Sequence, residues 1–334
     1  MYTLSLVKYS QKWYTENDFL DNQIKERRLM NMKRMFLGKS DLMVPNIALG
    51  CMSMGKLSPE DADNVVRNAL DLEIDFFDLA DIYGGGKAEE TLGKVIEMDP
   101  SLRERMLIQS KVGIRKGSYD FSKEHLLTSV DGILKRLNTD YLDALLLHRP
   151  DALVEPEIVA EVFEELEKSG KVRNFGVSNH NPYQIELLKK YVKQPLVANQ
   201  MQFSAMHTGM VDAGINVNTE FDNGINRDGG ILDYSRLEDM TIQAWSPIKS
   251  GGDIFVDNEN FPEINAKLKE IGERYGLSNS ETAIAWILRH PAQIQAIVGT
   301  MTPERLADYA KASEVRITHE EWYDIYRAAG NKLP

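Results

Sequence analysis

The sequence predicts an α/β protein built as a (β/α)₈ TIM barrel, with a short N-terminal β-hairpin and additional helices. After residue 45, eight short apolar runs alternate with helical patterns, which is typical of a parallel sheet closed into a barrel. An open, doubly wound sheet is the alternative. It would carry the glycine fingerprint G-x-G-x-x-G after its first strand, whereas this chain has GCMSMGKLS there.

The strand and helix boundaries are predicted from apolar runs and from capping residues. The predicted strands are NIALGCM (46–52), DFFDLA (75–80), MLIQSKVG (106–113), YLDALLLH (141–148), VRNFGVS (172–178), LVANQMQ (196–202), TIQAWSP (241–247) and QAIVGT (295–300). Two helices begin with an N-cap followed by proline, at Ser58-Pro59 and Asn181-Pro182. The other predicted helices cover 87–98, 122–137, 155–169, 230–239, 279–290 and 303–312.

The part of the chain that precedes the barrel consists of an N-terminal segment, residues 1–31, and a predicted hairpin that starts at Met32. The segment MKRMFLGKSDLMVP predicts a hairpin that turns at Gly38-Lys39-Ser40-Asp41, and residues 32–334 are predicted to form a single barrel domain. Residues 1–31 share no periodicity with the rest of the chain, so we expect a loosely attached extension or the product of a start codon placed too early. The stretch 207–230, rich in Gly, Asn and Asp, is predicted to be a surface loop or lid.

Composition narrows the function. The net charge of −12 disfavours nucleic acid or an anionic membrane as the main partner. The single cysteine, Cys51, excludes an internal disulfide and a multi-cysteine metal site. No apolar run is long enough to span a bilayer and no signal-peptide core is present at the N-terminus. These features predict a soluble cytoplasmic protein, and they leave its oligomeric state open.

Four polar residues at the ends of three successive strands suggest acid–base chemistry, because barrel enzymes react at the C-terminal ends of their strands. Tyr83 offers a phenol whose ordinary pKa is near 10. The Lys111 ammonium would lower that value, and Asp78 would keep the buried lysine charged. His148 could hydrogen-bond a substrate oxygen. Such a set suits carbonyl reduction, in which the tyrosine protonates the oxygen as hydride reaches the carbon.

The ordered blocks DLADIYG, IQSKVG, LLLHRPD, FGVSNH, NQMQFS, AWSP and VGTMTPERL resemble the signature motifs of the aldo-keto reductases, from about Gly38 to the C-terminus. Within that family the chain is most similar to the bacterial YdhF-type oxidoreductases, as the HRPD segment and the tail ITHEEWYDIYRAA indicate. The resemblance implies a TIM barrel that reduces an aldehyde or ketone with a nicotinamide cofactor. It also implies that Tyr83 is the general acid, that Asp78 and Lys111 set its pKa, and that His148 orients the carbonyl.

The resemblance also implies a cofactor site. Ser178, Asn179 and Gln200 would hold the nicotinamide carboxamide, and Trp245 would stack on its ring. The loop from Ser246 to Gly252 would pass over the pyrophosphate, where its backbone N–H groups and Lys249 suit an anion. Arg305 would contact the 2′-phosphate of NADP. The remaining implied cofactor-binding residues are Cys51, Met52, Asp78, Pro247, Ile248, Ser250, Gly251, Gly299, Thr300, Met301 and Asp308.

The motifs constrain the choice between NADP and NAD less than they constrain the reaction. Gly299 stands where many members of the family carry lysine, and Tyr309 stands where asparagine usually faces the adenine, whereas Asp308 keeps the acidic position. The expected cofactor is NADP(H), with NAD as the alternative. The expected partner is a small carbonyl substrate.

Three other functions remain open at the level of sequence. A relative that binds nicotinamide without turnover would be a regulatory subunit, as the potassium-channel β subunits are. A Schiff-base lyase would use Lys111 as a neutral amine, which Asp78 opposes. A metal-dependent hydrolase would need preformed ligands, but His148, His180 and His207 are scattered, so no metal is expected.

Overall fold

The computed structural model describes residues 32–333, and its central feature is a closed barrel of eight parallel strands. The order of the strands around the barrel is their order in the sequence, and the eighth strand pairs with the first. This topology confirms the predicted (β/α)₈ barrel and excludes the open sheet. The strands are Ile47–Gly50, Phe76–Asp78, Leu107–Val112, Ala144–Leu147, Phe175–Ser178, Leu196–Gln202, Thr241–Trp245 and Gln295–Val298.

Each barrel strand is followed by at least one helix that packs on the outside. The predicted helices are present, with ends shifted by a few residues at most. After strands one to five they are Pro59–Asp71, Lys87–Met98, Lys123–Leu137, Pro156–Lys168 and Pro182–Lys189. After strands six to eight they are Gly209–Ile215, Ile231–Leu237, Pro262–Tyr275, Asn279–Leu288, Pro303–Lys311 and His319–Ala328, and a short helix, Leu102–Arg105, precedes strand three.

Two long helices are absent from the sequence-based prediction for different reasons. Pro262–Tyr275 begins after Phe261, which offers no side-chain cap, so the proline at its first position has no capping residue before it. His319–Ala328 does carry a signal, because the Thr318 side chain accepts from the Glu321 backbone and Glu321 bonds back to Thr318. This capping box could have been found in the sequence.

The prediction that 207–230 is a loop is wrong for part of that segment. Residues Gly209–Ile215 form a helix, and Asp222–Gly224 form a short 3₁₀ turn. The Asp212 carboxylate anchors this helix, because it accepts hydrogen bonds from the Thr208 hydroxyl at 3.0 Å and the Tyr326 hydroxyl at 2.7 Å. The partner from the C-terminal helix is distant in sequence, so local composition could not reveal it.

The predicted hairpin, Arg34–Phe36 with Met43–Pro45, covers the N-terminal end of the barrel. At its turn, the Gly38 backbone N–H donates to the Thr241 hydroxyl at 2.8 Å. A Cβ on Gly38 would lie 2.2 Å from the Val197 carbonyl oxygen, so only glycine permits this approach. The hairpin therefore closes the end of the barrel opposite to that expected to be reactive.

The prediction for residues 1–31 lies outside the described residues. Within residues 32–333, none of the helices combines the length and the apolar character that crossing a bilayer requires.

We predict that Gly93→Ala destabilises the barrel. Gly93 lies in the helix Lys87–Met98, and a Cβ there would stand 2.0 Å from the Arg136 carbonyl oxygen of the neighbouring helix. Relief requires backbone movement, so the free energy of unfolding should fall by about 1–3 kcal/mol. Chemical denaturation measures this change.

Gly209→Ala is the matched control, because it also lies in a helix and a Cβ there meets no atom within 4 Å. Its unfolding free energy should change by less than about 0.5 kcal/mol or rise slightly. Equal destabilisation by the two substitutions would contradict the close helix contact at Gly93.

Candidate active site

A cavity of about 450 Å³ opens at the C-terminal ends of the barrel strands. Asp78 ends the second strand, and Tyr83 comes after it in a short 3₁₀ turn. Lys111 is in the third strand, and His148 comes directly after the fourth. Because parallel strands end at the same rim, the four residues proposed from sequence are brought together.

The Lys111 ammonium has three hydrogen-bond acceptors. Its Nζ lies 2.8 Å from the Asp78 carboxylate, 2.6 Å from the Leu79 carbonyl oxygen and 3.2 Å from the Tyr83 hydroxyl oxygen. The Lys111 side chain has no exposed surface. An ammonium has three protons, so all of them are used and the Tyr83 oxygen accepts one of them.

Burial and charge oppose each other at this group. Burial alone would lower the pKa of Lys111, but the Asp78 carboxylate and the Tyr83 oxygen together raise it above its ordinary value. Burial raises the pKa of the Tyr83 phenol, and the Lys111 charge offsets only part of that rise. The expected net lowering of the tyrosine pKa is therefore wrong in direction, although the lowering contribution from Lys111 is present.

His148 is an uncharged imidazole at neutral pH. Burial, reinforced by the Lys111 and Arg149 charges, lowers its pKa to about 3. Its ring lies edge-on to the Tyr83 ring, with centroids 6.0 Å apart. Its Nδ1 is buried and has no hydrogen-bond partner within residues 32–333. The side chain can thus offer a neutral donor or acceptor beside the phenol.

A column of buried glutamines supports Asp78 from below, and the sequence-based prediction missed three of its four members. The Asp78 Oδ1 accepts from Gln109 at 2.6 Å and from Gln200 at 2.9 Å. Gln243 then bonds to Gln109 and, at 2.9 Å, to Gln295. The column ends where the Gln295 amide donates to the Pro45 carbonyl oxygen of the hairpin at 2.7 Å. The signal in the sequence was a glutamine inside each of four apolar strands.

Four polar side chains line the cavity beside His148, and Asn179 is bonded to two of the others. The Asn179 amide donates to the Ser178 hydroxyl at 2.8 Å, and its oxygen accepts from the Trp245 indole N–H at 3.3 Å. The Gln200 amide nitrogen is already shared between Asp78 and Gln243. Gln200 therefore offers a ligand its carbonyl oxygen rather than its donor.

The glycine run after Tyr83 shapes a tight turn. Gly84 and Gly85 have φ values of 61° and 67°, which favour glycine. A Cβ on Gly86 would lie 2.9 Å from the side chain of Arg136. The Arg136 guanidinium in turn donates to the buried Glu89 carboxylate at 2.8 Å. This ion pair fixes the start of the helix after Tyr83.

The far side of the cavity could hold an anionic ligand. Lys249 and Arg305 line it, and within residues 32–333 neither side chain forms a hydrogen bond or an ion pair. A Cβ on Gly299 would meet no atom within 4 Å, so this wall is open. Two unpaired cations on this side of the cavity, in a chain of net charge −12, fit the phosphates of a dinucleotide.

The structure places most of the predicted site residues around the cavity. Those in its wall are Met52, Asp78, Tyr83, His148, Ser178, Asn179, Gln200, Trp245, Ser246, Pro247, Ile248, Gly299, Thr300 and Arg305. Lys111 lies beneath Tyr83. Those outside the wall are Cys51, Ser250, Gly251, Met301 and Asp308. Cavity residues that sequence reasoning did not assign to the site include Gly50, Ser53, Arg149 and Ile254.

Three of these placements have a structural reason. The Cys51 thiol is buried, with its Sγ 3.5 Å from the Leu49 carbonyl oxygen. Ser250 and Gly251 lie at the tip of a short hairpin, Lys249–Ser250 with Asp253–Ile254. The predicted pyrophosphate loop thus folds back on itself, and Lys249 and Ile254 at its base face the cavity instead.

Two of the alternative chemistries find little support in this geometry. A Schiff base needs a neutral, accessible amine, whereas Lys111 has a raised pKa and donates three hydrogen bonds. Within residues 32–333, no group of three or more His, Cys, Asp or Glu side chains is placed to hold a metal ion.

Comparison with known proteins agrees with the geometry. The family model described as "Aldo/keto reductase family" matches residues 46–329. The 6-dehydroglucose reductase of Novosphingobium aromaticivorans is 35% identical, covering 89% of this chain and 96% of that protein. Oxidoreductase YdhF of Escherichia coli is 34% identical, covering 79% of this chain and 86% of that protein.

A solved structure is similar as well. The aldo-keto reductase from Klebsiella pneumoniae in complex with NADPH has a TM-score of 0.71 and 25% identity, covering 89% of this chain and 95% of that one. The resemblance seen in the signature motifs is thereby confirmed. Because the family model matches most of the chain and relatives at 34–35% identity cover it, the chain belongs to the aldo/keto reductase family of oxidoreductases.

Proposed function

We propose that the protein reduces an aldehyde or ketone to an alcohol with NADPH, with Tyr83 as the proton donor. The observation that carries this proposal is the Lys111 ammonium, which bonds the Asp78 carboxylate and the Tyr83 oxygen at the base of the cavity. Because the phenol oxygen accepts from Lys111, its own proton is free to point toward a ligand.

The cofactor assignment is supported by the two ends of the cavity. Ser178, Asn179 and Gln200 offer hydroxyl and amide groups that suit the nicotinamide carboxamide. Lys249 and Arg305 offer unpaired charges for its phosphates. When bound there, the reduced nicotinamide supplies the hydride. The similar aldo-keto reductase from Klebsiella pneumoniae was solved with NADPH, and Arg305 is the residue that we propose favours NADPH over NADH.

The residues of the chain govern the proton. As negative charge develops on the substrate oxygen, Tyr83 transfers its proton to that oxygen, and the Lys111 ammonium stabilises the phenolate left behind. The raised pKa of Tyr83 keeps the phenol protonated at neutral pH. Tyr83 therefore carries its proton before the substrate binds.

His148 orients the carbonyl in this scheme. We assign its proton to Nε2, because the buried, unpartnered Nδ1 then holds a lone pair rather than an unsatisfied N–H. With a pKa of about 3, the imidazole stays neutral across physiological pH. It can hydrogen-bond the substrate oxygen without competing with Tyr83 as the acid.

We predict that Tyr83→Phe lowers kcat by about 10²- to 10⁴-fold, because it removes the proton donor and keeps the ring. The measurement is NADPH oxidation by the full chain over a panel of aldehydes, ketones and quinones, with NADH in parallel. The matched control is Tyr183→Phe, which alters an exposed tyrosine (83% exposed) outside the cavity.

Two results would count against the proposed role of Tyr83. Retention of more than half of the wild-type kcat in Tyr83→Phe would exclude it as the acid. Tight NADPH binding by the wild-type protein without turnover of any compound would instead favour a nicotinamide-binding regulatory subunit.

We also predict that Arg305→Gln weakens the use of NADPH and spares that of NADH. Losing a hydrogen-bonded charge pair to the 2′-phosphate should lower kcat/KM for NADPH by about 10- to 100-fold. NADH lacks that phosphate, so its kcat/KM should change by less than about twofold. An equal fall in kcat/KM for NADPH and NADH would show that Arg305 does not bind the 2′-phosphate.

A further inference from the structure

Arg149 is a cation in the cavity wall that the proposed chemistry does not use. It comes directly after His148, at the end of the fourth barrel strand, and its side chain is half-buried. Its guanidinium carbon lies 5.9 Å from the centroid of the Trp245 ring. Within residues 32–333 the guanidinium has no hydrogen-bond partner and no ion-pair partner.

The nearby carboxylates in the described part of the chain are committed elsewhere and do not neutralise Arg149. Asp78, the acid in the main cavity wall, is bonded to Lys111. Asp151, two residues further along the chain, accepts from the backbone N–H groups of Phe121 at 3.0 Å and Leu153 at 2.8 Å. A partly desolvated guanidinium with unused donors is costly unless a ligand supplies the acceptor.

A second cavity adjoins the first at this point. It has a volume of about 370 Å³, and the two cavities share Arg149, Asn179 and Trp245. Arg149 therefore stands between the reacting groups and additional space for a ligand. The acids in the second cavity are engaged, because Asp212 bonds Tyr326 and Thr208, and Asp228 accepts from a backbone N–H.

The position of Arg149 separates it from the end of the cavity proposed for the phosphates. Arg305 comes after the eighth strand, and Lys249 comes after the seventh. In a closed barrel of eight strands in chain order, the end of the fourth strand lies across the mouth from the end of the eighth. Arg149 is thus placed on the side of Tyr83 and His148, where the carbonyl compound would enter.

We propose that Arg149 binds an anionic group of the carbonyl substrate, so that the enzyme prefers aldehydes or ketones that carry a carboxylate or a phosphate. This inference rests on the proposed reductase function. The planar guanidinium can donate two parallel hydrogen bonds to either anion. The anion would then lie beside the reacting carbonyl.

The test compares pairs of aldehydes that share the reacting group and its immediate surroundings, of which one member carries an anionic group and the other does not. One pair is 4-carboxybenzaldehyde and its methyl ester; the other is D-glyceraldehyde 3-phosphate and D-glyceraldehyde. For the wild-type enzyme with NADPH, kcat/KM should be at least about tenfold higher for one or both anions than for the neutral partner. The pair with the larger ratio identifies the preferred anion.

Arg149→Met removes the charge and keeps an unbranched apolar side chain beside Trp245. The anion-to-neutral ratio of kcat/KM should fall to about one, and Arg149→Lys should retain part of it because the point charge remains. The control is Arg105→Met, which removes an exposed arginine just before the third strand, at the other end of the barrel. This variant should keep the wild-type ratio.

Several results would overturn the proposal. These are a wild-type ratio near one on both pairs, an unchanged ratio in Arg149→Met, or a tenfold rise in the NADPH dissociation constant of that variant, which would assign Arg149 to the cofactor. Failure of the reductase function itself would look different, because the wild-type enzyme would then turn over neither member of either pair.

Discussion

The buried ion pair between Lys111 and Asp78 is the interaction on which the rest of the site depends. An ammonium without exposed surface is costly unless its protons and its charge are both satisfied. The Asp78 carboxylate, the Leu79 carbonyl oxygen and the Tyr83 hydroxyl oxygen meet that requirement together. The glutamine column from Gln109 to Gln295 then satisfies the second oxygen of Asp78 and links the pair to the hairpin that closes the barrel.

Burial shifts the pKa values of Lys111 and Tyr83 in opposite directions. Burial would lower the pKa of Lys111, but the Asp78 carboxylate and the Tyr83 oxygen together outweigh it. Burial raises the pKa of Tyr83, and the Lys111 charge offsets only part of that rise. The result is a protonated Tyr83 phenol next to the positively charged Lys111 ammonium. That combination suits a donor that releases its proton only when an oxyanion forms beside it.

Much of this arrangement can be predicted from sequence, because barrel topology converts chain order into position. Strand-end residues such as Asp78, Lys111 and His148 must meet at one rim once eight strands close in order. The sign of the Tyr83 shift could not be predicted, since it depends on how completely the surrounding atoms exclude water. The hairpin that carries Lys249 and the unpaired state of Arg149 depend on tertiary contacts, and they also lay beyond the sequence.

The charge of Lys111 can be measured directly by NMR on enzyme labelled with ¹³C and ¹⁵N in its lysines. The Lys111 Nζ resonance would be assigned by its loss in Lys111→Met and tracked with pH in the wild-type enzyme and in Asp78→Asn. The account predicts an ammonium that titrates above the ordinary lysine pKa of 10.5 and a lower midpoint in Asp78→Asn. A neutral amine at pH 7 in the wild-type enzyme, or a midpoint that Asp78→Asn leaves unchanged, would contradict it.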